Sequence, residues 1–328
     1  MKKYLLEVSN LRTHFYTEAG IVKALDGVTV NAEEKQIIGL VGESGSGKSV
    51  TAQSVLRIIP KPGRIIAGSI KYDGEDLLRK SETDMRKIRG SKMAIVFQDP
   101  TTSLNPLYTV GRQLTDILKV HKGLTKREAT EIAKDLLEKV AIPEPEKRLK
   151  AYPHELSGGM KQRIAIARAL ACKPRLLFAD EPTTNLDVTI QAQVLDLLKQ
   201  LQKEYGMTMI MITHDMGIVA DMADRVTVLY AGKVMEEADT RTLFTEPSHP
   251  YTEALLKAVP TVARTKALGI IPGNIPNLIN PPAGCVFHPR CTYAKEICHK
   301  QDPQWEQATV GHYVACHRWK ELKLQGED

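Results

Sequence analysis

The chain has 328 residues, of which 42% are hydrophobic and 5% aromatic, so it can hold two or three domains around a sizeable core. Its formal net charge of +6 comes from 45 Lys and Arg against 39 Asp and Glu without a long basic run, so we expect no nucleic-acid partner. No apolar stretch approaches about 18 residues and the N-terminus lacks a signal-peptide core, which favours a cytosolic chain with reduced cysteines.

Several short apolar runs end in polar or glycine-rich turns and predict strands that are buried on both faces, as in a parallel sheet. These runs are QIIGLVGESG, KMAIVFQDP, RLLFADEP, MTMIMITHD and RVTVLY. Between them, one helix is predicted to begin with the capping pair Thr125 and Glu128, and another to end at Gly206. The pattern from about residue 100 to 165 is mostly helical, which predicts a helical subdomain inserted into an α/β core.

Residues 42–49 read GESGSGKS, a full match to the phosphate-binding loop G-x-x-x-x-G-K-[ST]. The loop lies between an apolar run and a helical stretch, so its N–H groups and the helix N-terminus can face phosphate oxygens. Lys48 is expected to contact the β- and γ-phosphates of ATP, and Ser49 to bind Mg²⁺. The predicted nucleotide-binding residues of this loop are Gly42, Ser44, Gly45, Gly47, Lys48, Ser49 and Val50.

The apolar run LLFA is followed by two carboxylates, Asp180 and Glu181. Adjacent side chains at the end of a strand point in different directions and can therefore take different roles. We predict that Asp180 belongs to the Mg²⁺ shell and that Glu181 orients or deprotonates the attacking water.

A second glycine motif, HELSGGMKQR, places Ser157, Gly158 and Gly159 before a helical run. Free N–H groups and a helix dipole can meet an anion here as well. One nucleotide does not need two such cradles from the same chain, so we predict a head-to-tail dimer in which this motif closes over the partner's nucleotide.

Together and in this order, these motifs resemble those of the ABC transporter ATPases. The resemblance implies that Gln98 in VFQDP reaches the Mg²⁺ and the attacking water, and that Asp187 in TTNLD lies at the dimer seam. It also implies that His214 in MITHD contacts the γ-phosphate. Phe15 falls where the family places a ring against adenine, with Tyr16 as its rival.

The motifs VGESGSGKSVTAQSVL, FQDPTTSLNPLYTVG, YPHELSGGMKQR, HPYTEALLKAVP and PPAGCVFHPRC resemble the dipeptide and oligopeptide importer subfamily more closely. Asn185 departs from the alanine that is usual at this point of the predicted seam. The resemblance implies an ATP-hydrolysing subunit that powers peptide import from the cytoplasmic face of the membrane. It also implies a second ATPase subunit, two transmembrane permease subunits that contact about residues 99–115, and an extracytoplasmic solute-binding protein.

Two alternatives stay open on the sequence. Related importers move nickel complexes, glutathione or oligosaccharides, and a soluble ABC ATPase with a redox-sensing cluster is a further possibility. The predicted architecture is a P-loop ABC ATPase domain over residues 1–240, with its helical subdomain at about 99–165. An irregular, metal-binding extension is predicted over residues 241–328.

Four of the five cysteines lie in the segment 284–317 of this extension. Intervals of five, six and seventeen residues separate Cys285, Cys291, Cys298 and Cys316. Structural zinc sites favour tighter pairs, whereas an iron–sulfur cluster accepts ligands from more distant points of a loop. The importer subfamily has a similar cysteine pattern, which favours [4Fe–4S], while zinc and the absence of a metal stay open.

Overall fold

The computed structural model describes residues 4–184, 186–259, 269 and 271–326. The chain divides into two compact units: unit 1 comprises Met1–Leu78 and Met211–Asp328, and unit 2 comprises Arg79–Ile210. Across the described ranges, no helix combines the length and the apolarity that a membrane crossing requires.

The strands in chain order are β1 (Tyr4–Thr17), β2 (Gly20–Glu33), β3 (Ile37–Val41), β4 (Gly63–Tyr72), β5 (Glu75–Asp76), β6 (Met93–Val96), β7 (Leu176–Asp180), β8 (Thr208–Thr213), β9 (Arg225–Tyr230), β10 (Lys233–Asp239), β11 (Glu306–Thr309) and β12 (His312–Val314). The helices are α1 (Lys48–Val55), α2 (Glu82–Ile88), α3 (Pro100–Ser103), α4 (Val110–Lys122), α5 (Lys126–Lys139), α6 (Pro145–Lys150), α7 (Gly158–Leu170), α8 (Val188–Tyr205), α9 (Met216–Met222), α10 (Thr240–Thr245), α11 (Pro250–Lys257) and α12 (Glu296–Lys300). All five predicted apolar runs contain strands: β3, β6, β7, β8 and β9.

Unit 1 contains an antiparallel sheet in the order β2-β1-β4-β5. This sheet was not predicted from continuous apolar runs, because β1 contains both buried and exposed positions. The buried Leu6 and Val8, for example, flank the partly exposed Glu7. A long hairpin joins β1 to β2, with Thr17 paired to Gly20 at its turn.

A second set of strands in unit 1 has the order β11-β12-β10-β9-β3. β3 and β9 are parallel, with Ile38 opposite Arg225. β10 is antiparallel to β9 and also pairs with β12, where Glu236 lies opposite Val314. Residues from the end of the chain thus extend a sheet that begins beside the phosphate-binding loop.

Unit 2 contains the parallel pair β6 and β7 and the helices α2 to α8. Thr125 and Glu128 form the predicted capping box at the start of α5. α8 ends at Gly206, which has the left-handed φ of 59° that favours glycine at this position. The segment between β6 and β7 is mostly helical, as the sequence pattern predicted.

The extension of unit 1 shares a buried apolar core with β3 and β9, which the prediction of an irregular segment missed. Tyr230, Tyr251 and Phe287 are buried together, with the ring centroid of Phe287 5.2 Å from that of each tyrosine. Cys285 and Cys298 belong to the same buried cluster. Burial of these large rings, together with the pairing of β12, stabilises the extension.

Candidate nucleotide-binding and hydrolysis site

The loop between β3 and α1 has a backbone that only glycine adopts readily. Gly42 has φ 148° and Gly47 has φ 107°, both in the left-handed half of conformational space. A Cβ atom at Gly42 would lie 2.1 Å from the carbonyl oxygen of Leu229, and one at Gly47 would lie 2.7 Å from that of Ala24. The glycines therefore allow the loop to pack closely against its neighbours.

The residues of this loop fit a bound nucleotide phosphate. Lys48 is buried, and its Nζ donates hydrogen bonds to the carbonyl oxygens of Gly42 at 2.7 Å and Glu43 at 2.9 Å. The buried Ser46 Oγ has no hydrogen-bond partner among the described residues. A Cβ at Gly45 would meet nothing within 4 Å, so the loop has an open side. Ser44 is exposed at this side, while Ser49 and Val50 lie half-buried in the first turn of α1.

Two predicted catalytic residues of unit 2 contact each other directly. Gln98 Nε2 donates a hydrogen bond to Glu181 Oε2 at 2.8 Å, and Thr184 Oγ1 donates to the same oxygen at 3.1 Å. Glu181 has φ 42°, an unusual value for a residue other than glycine and one that is typical of functional sites. The buried Asp180 is the last residue of β7, so the strand end carries both predicted carboxylates.

The second glycine motif lies at the start of α7 in unit 2. Ser157 is the N-cap residue, and its side chain accepts a hydrogen bond from the Met160 N–H at 3.3 Å. Gly158 and Gly159 are the first two helical residues, and Ser157 and Gly158 are exposed. The helix N-terminus is therefore presented at the surface of the chain, where its amide groups can face an anion.

Asp187 has a local role that the motif alone does not indicate. It is the N-cap residue of α8, and its carboxylate accepts a hydrogen bond from the Ile190 N–H at 2.9 Å. It is exposed, as a residue at a subunit seam would be. Asn185 lies outside the described residues.

The remaining predicted residues belong to unit 1. His214 is exposed and lies directly after β8, before the start of α9. Phe15 lies in β1 beside Gly63, where an added Cβ would be 2.7 Å from the Phe15 ring. Tyr16 is the alternative to Phe15, and the guanidinium of Arg64 lies 5.6 Å from the centroid of the Tyr16 ring.

The sequence motifs do not identify Glu43 of the phosphate-binding loop or its two partners, Tyr251 and Arg290. Glu43 occupies a position that the motif leaves open, and it binds both Tyr251 and Arg290. An acidic residue inside a phosphate-binding loop is a sequence signal from which a cationic partner elsewhere in the chain could have been predicted.

Comparison with known proteins identifies the family. The ABC transporter profile matches residues 25–184, and the profile described as the C-terminal region of oligopeptide/dipeptide transporters matches residues 235–298. The dipeptide transport ATP-binding protein DppD of Escherichia coli is 46% identical over 314 residues, which cover 95% of this chain and 96% of the relative. The probable peptide ABC transporter ATP-binding protein y4tR of Sinorhizobium fredii is 47% identical over 321 residues, with 97% and 96% covered.

The chain belongs to the ABC transporter ATP-binding proteins. It lies in their dipeptide and oligopeptide group, and it is an ATPase whose activity is coupled to transport. The ATP-binding cassette MJ0796 bound to ADP and Pi matches with a TM-score of 0.65 and 29% identity, covering 72% of this chain and 99% of that one. The cbiO1 protein of Clostridium perfringens matches with a TM-score of 0.63 and 30% identity, covering 74% and 91%. The predicted ABC ATPase fold is confirmed, and with it the general use of ATP and Mg²⁺.

The prediction of an iron–sulfur cluster in this ABC protein is wrong, as is its zinc alternative. Among residues 4–184, 186–259, 269 and 271–326, no three His, Cys, Asp or Glu side chains form a group that could hold a metal ion. The four cysteines concerned, Cys285, Cys291, Cys298 and Cys316, are free thiols. The prediction of a metal-binding extension is therefore unsupported, as is the cluster in the alternative of a redox-sensing ATPase.

These four thiols lie in buried or partly buried surroundings. Burial raises the pKa of Cys285 to about 11 and that of Cys316 to about 12. The Cys285 N–H donates to the Cys298 carbonyl at 2.9 Å, and both residues belong to the buried apolar cluster. The fifth cysteine, Cys172, is also buried.

The histidines near these cysteines contact main-chain and side-chain groups. His288 Nδ1 is 2.9 Å from the Cys285 carbonyl oxygen, and the His288 ring lies 4.2 Å from that of His299. His312 Nε2 is 2.7 Å from Glu236 Oε1. Spacing along the chain could not reveal these contacts, because it carries no information on where side chains point.

Proposed function

We propose that this ABC ATPase hydrolyses ATP to power the import of dipeptides or oligopeptides through a membrane transporter. The observation that carries the hydrolytic part is the hydrogen bond between Gln98 and Glu181 at the end of β7. The peptide substrate is supported by the names of the relatives, which cover almost the whole chain, and by the matched C-terminal region.

The proposed reaction is phosphoryl transfer from ATP to water. Lys48 binds the β- and γ-phosphates, and the loop amides together with Phe15 place the nucleotide. Glu181 orients the attacking water and accepts its proton, while Gln98 and His214 position the water and the γ-phosphate. The reaction therefore depends mainly on the positioning of charge by groups that the fold already holds.

Mg²⁺ would be held by Ser49, Gln98 and Asp180. When bound, it supplies positive charge that neutralises the β- and γ-phosphate oxygens. Ser49 contributes a hydroxyl, Gln98 an amide oxygen and Asp180 a carboxylate, which are the oxygen ligands that this ion prefers.

The working assembly contains two ATPase subunits, identical or homologous, arranged head to tail. Ser157, Gly158 and Gly159 of each subunit close over the nucleotide of the other, and Asp187 lies at the seam. The exposed start of α7 supports this arrangement. A solved dimer of the related cassette MJ0796 supports it as well.

The transporter would add two permease subunits and an extracytoplasmic solute-binding protein, with the ATPase on the cytoplasmic face of the membrane. We place the permease contact at about residues 99–115 within a helical subdomain at about 99–165. The ATPase domain would span residues 1–240, and the extension would span residues 241–328.

Reconstitution tests this proposal. The chain is co-expressed with its permease subunits, the complex is placed in lipid vesicles with the solute-binding protein, and uptake of a labelled dipeptide is measured with and without ATP. We expect uptake that requires ATP and is lost with Glu181→Gln. ATP-dependent uptake of a nickel complex, glutathione or an oligosaccharide with no peptide uptake would show that the substrate is wrong while the ATPase assignment holds.

A further inference from the structure

Arg290, in the C-terminal extension, forms a two-pronged ion pair with Glu43 of the phosphate-binding loop. Arg290 Nη1 donates to Glu43 Oε2 at 2.7 Å, and Arg290 Nη2 donates to Glu43 Oε1 at 3.0 Å. Only 4% of the Arg290 side chain and 30% of the Glu43 side chain are exposed. A paired guanidinium and carboxylate fixes direction as well as distance, and burial shields this pair from solvent screening.

The other N–H groups of Arg290 bind the extension itself. Its Nε donates to the Pro272 carbonyl at 2.8 Å, and its Nη2 also lies 3.3 Å from the Ile271 carbonyl. Its Nη1 lies 3.3 Å from the Tyr230 hydroxyl at the end of β9. The guanidinium is thus fixed by several partners, so it can hold Glu43 in one place.

A second contact reaches the backbone of the same loop residue. The Glu43 N–H donates to the Tyr251 hydroxyl at 2.9 Å. Tyr251 is fully buried in α11, with its ring centroid 4.7 Å from that of Tyr230. Both the side chain and the main chain of Glu43 are therefore held by buried groups.

These contacts extend to the lysine that binds phosphate. Lys48 Nζ donates to the Glu43 carbonyl at 2.9 Å, so the peptide units on both sides of the Glu43 Cα atom are engaged. We propose that Arg290 and Tyr251 are positioning residues through which the extension holds the phosphate-binding loop and sets its affinity for nucleotide. This assignment concerns the ATPase itself and is independent of which solute is imported.

The variants Arg290→Met and Arg290→Lys test the proposal in the full-length chain. Methionine keeps the apolar part of the side chain and removes every hydrogen-bond donor of the guanidinium. Lysine keeps the positive charge but cannot donate the two parallel hydrogen bonds that the guanidinium makes. We expect MgADP affinity, measured by calorimetric titration, to fall about tenfold with methionine and less with lysine, within the usual range of coupling between sites. Hydrogen exchange of the peptide covering residues 42–49 should become faster in the same order.

Arg225→Lys is the matched control. Arg225 is another partly buried arginine of unit 1, which pairs with Glu237 at 2.7 Å and donates to the Gly311 carbonyl at 2.7 Å without contacting the loop. Its substitution should lower the melting temperature and leave MgADP affinity and loop exchange unchanged. An equal loss of affinity in this control would overturn the proposal, because the effect would then be general destabilisation.

A double variant distinguishes the effect of losing the ion pair on nucleotide affinity from the effect of destabilising the fold. In Arg290→Met the Glu43 carboxylate loses its partner beside the site where phosphates bind, and Glu43→Gln then removes that uncompensated charge. We expect Glu43→Gln/Arg290→Met to recover part of the lost affinity. If Arg290→Met does not fold, MgADP affinity and loop exchange are compared in Arg290→Lys and Tyr251→Phe instead. Unchanged affinity and unchanged loop exchange in folded variants would refute the proposal.

Discussion

Replacement of Glu181 by glutamine separates the chemistry of this site from its architecture. Gln98 and Thr184 both donate to the same carboxylate oxygen, Oε2, at 2.8 and 3.1 Å. A glutamine amide can place its oxygen at that position and accept both hydrogen bonds. Glu181→Gln therefore preserves the shape of the site and removes the group that would take a proton from water.

The two consequences differ in size. A hydrogen bond to a charged acceptor contributes about 1.5–3 kcal/mol and one to a neutral acceptor about 0.5–1.5 kcal/mol, so at mid-range values the two weakened bonds together cost about 2.5 kcal/mol. The true cost is smaller because Gln98 is exposed to solvent. Loss of a general base slows a reaction about 10²- to 10⁴-fold, which corresponds to about 3–5 kcal/mol in the barrier. Catalysis should therefore suffer more than folding.

The assay compares steady-state ATP hydrolysis, ATP affinity and thermal unfolding for the wild type, Glu181→Gln and the control Glu138→Gln, an exposed acid on α5. We expect Glu181→Gln to hydrolyse ATP at least about 100-fold more slowly. It should bind ATP normally and favour an ATP-bound dimer, which light scattering can detect. Normal turnover by this variant, or an equal loss in Glu138→Gln, would refute the assignment of Glu181 as the base.

Two further predictions concern the loop and the extension. Gly42→Ala should lose measurable nucleotide binding in calorimetric titration, because its Cβ would lie 2.1 Å from the Leu229 oxygen, whereas Gly45→Ala meets no atom within 4 Å and should have a smaller effect. Equal binding by the two variants would contradict this reasoning. In the extension, burial lowers the pKa of His249 from its ordinary 6.5 to about 3, so the unfolded chain binds a proton that the folded chain rejects. This contribution to stability is present above pH 6.5 and declines by up to about 1.4 kcal/mol per pH unit as the pH falls toward 3. Denaturant unfolding near pH 7 and pH 5 should therefore show a smaller pH dependence for His249→Gln than for the wild type, and an equal dependence in both would contradict the assignment.

Strong local signals made much of the fold predictable. The runs that became β3 and β7 are apolar on both faces and end in functional residues, so a short window of sequence is sufficient. The capping box at Thr125 and the terminal Gly206 of α8 are likewise local, since each satisfies backbone groups within a few residues. The hairpin of β1 and β2 gave a weaker signal because one face of each strand is partly exposed.

The errors arose where the outcome depends on distant parts of the chain. Cysteine spacing at Cys285 and Cys298 is equally compatible with a metal site and with core packing, and both cysteines share a buried cluster with Tyr230 and Tyr251. Those rings lie on β9 and α11, outside the cysteine segment. Nothing within the segment 284–317 indicates that they pack against it.

Arg290 was not predicted for the same reason, because its contact with Glu43 joins residues that are far apart in the sequence. This contact also bears on the role of the extension. Motifs identify groups that touch the nucleotide, but the position of Glu43 in the loop is variable in the motif, and its partner lies 247 residues further along the chain. Removal of the extension would leave this carboxylate unpaired, uncover the tyrosine cluster and expose the edge of β10 that pairs with β12. Each of these changes would weaken the packing that holds the phosphate-binding loop in place. The extension is therefore part of the ATPase fold, and changes within it should be measured first by nucleotide affinity.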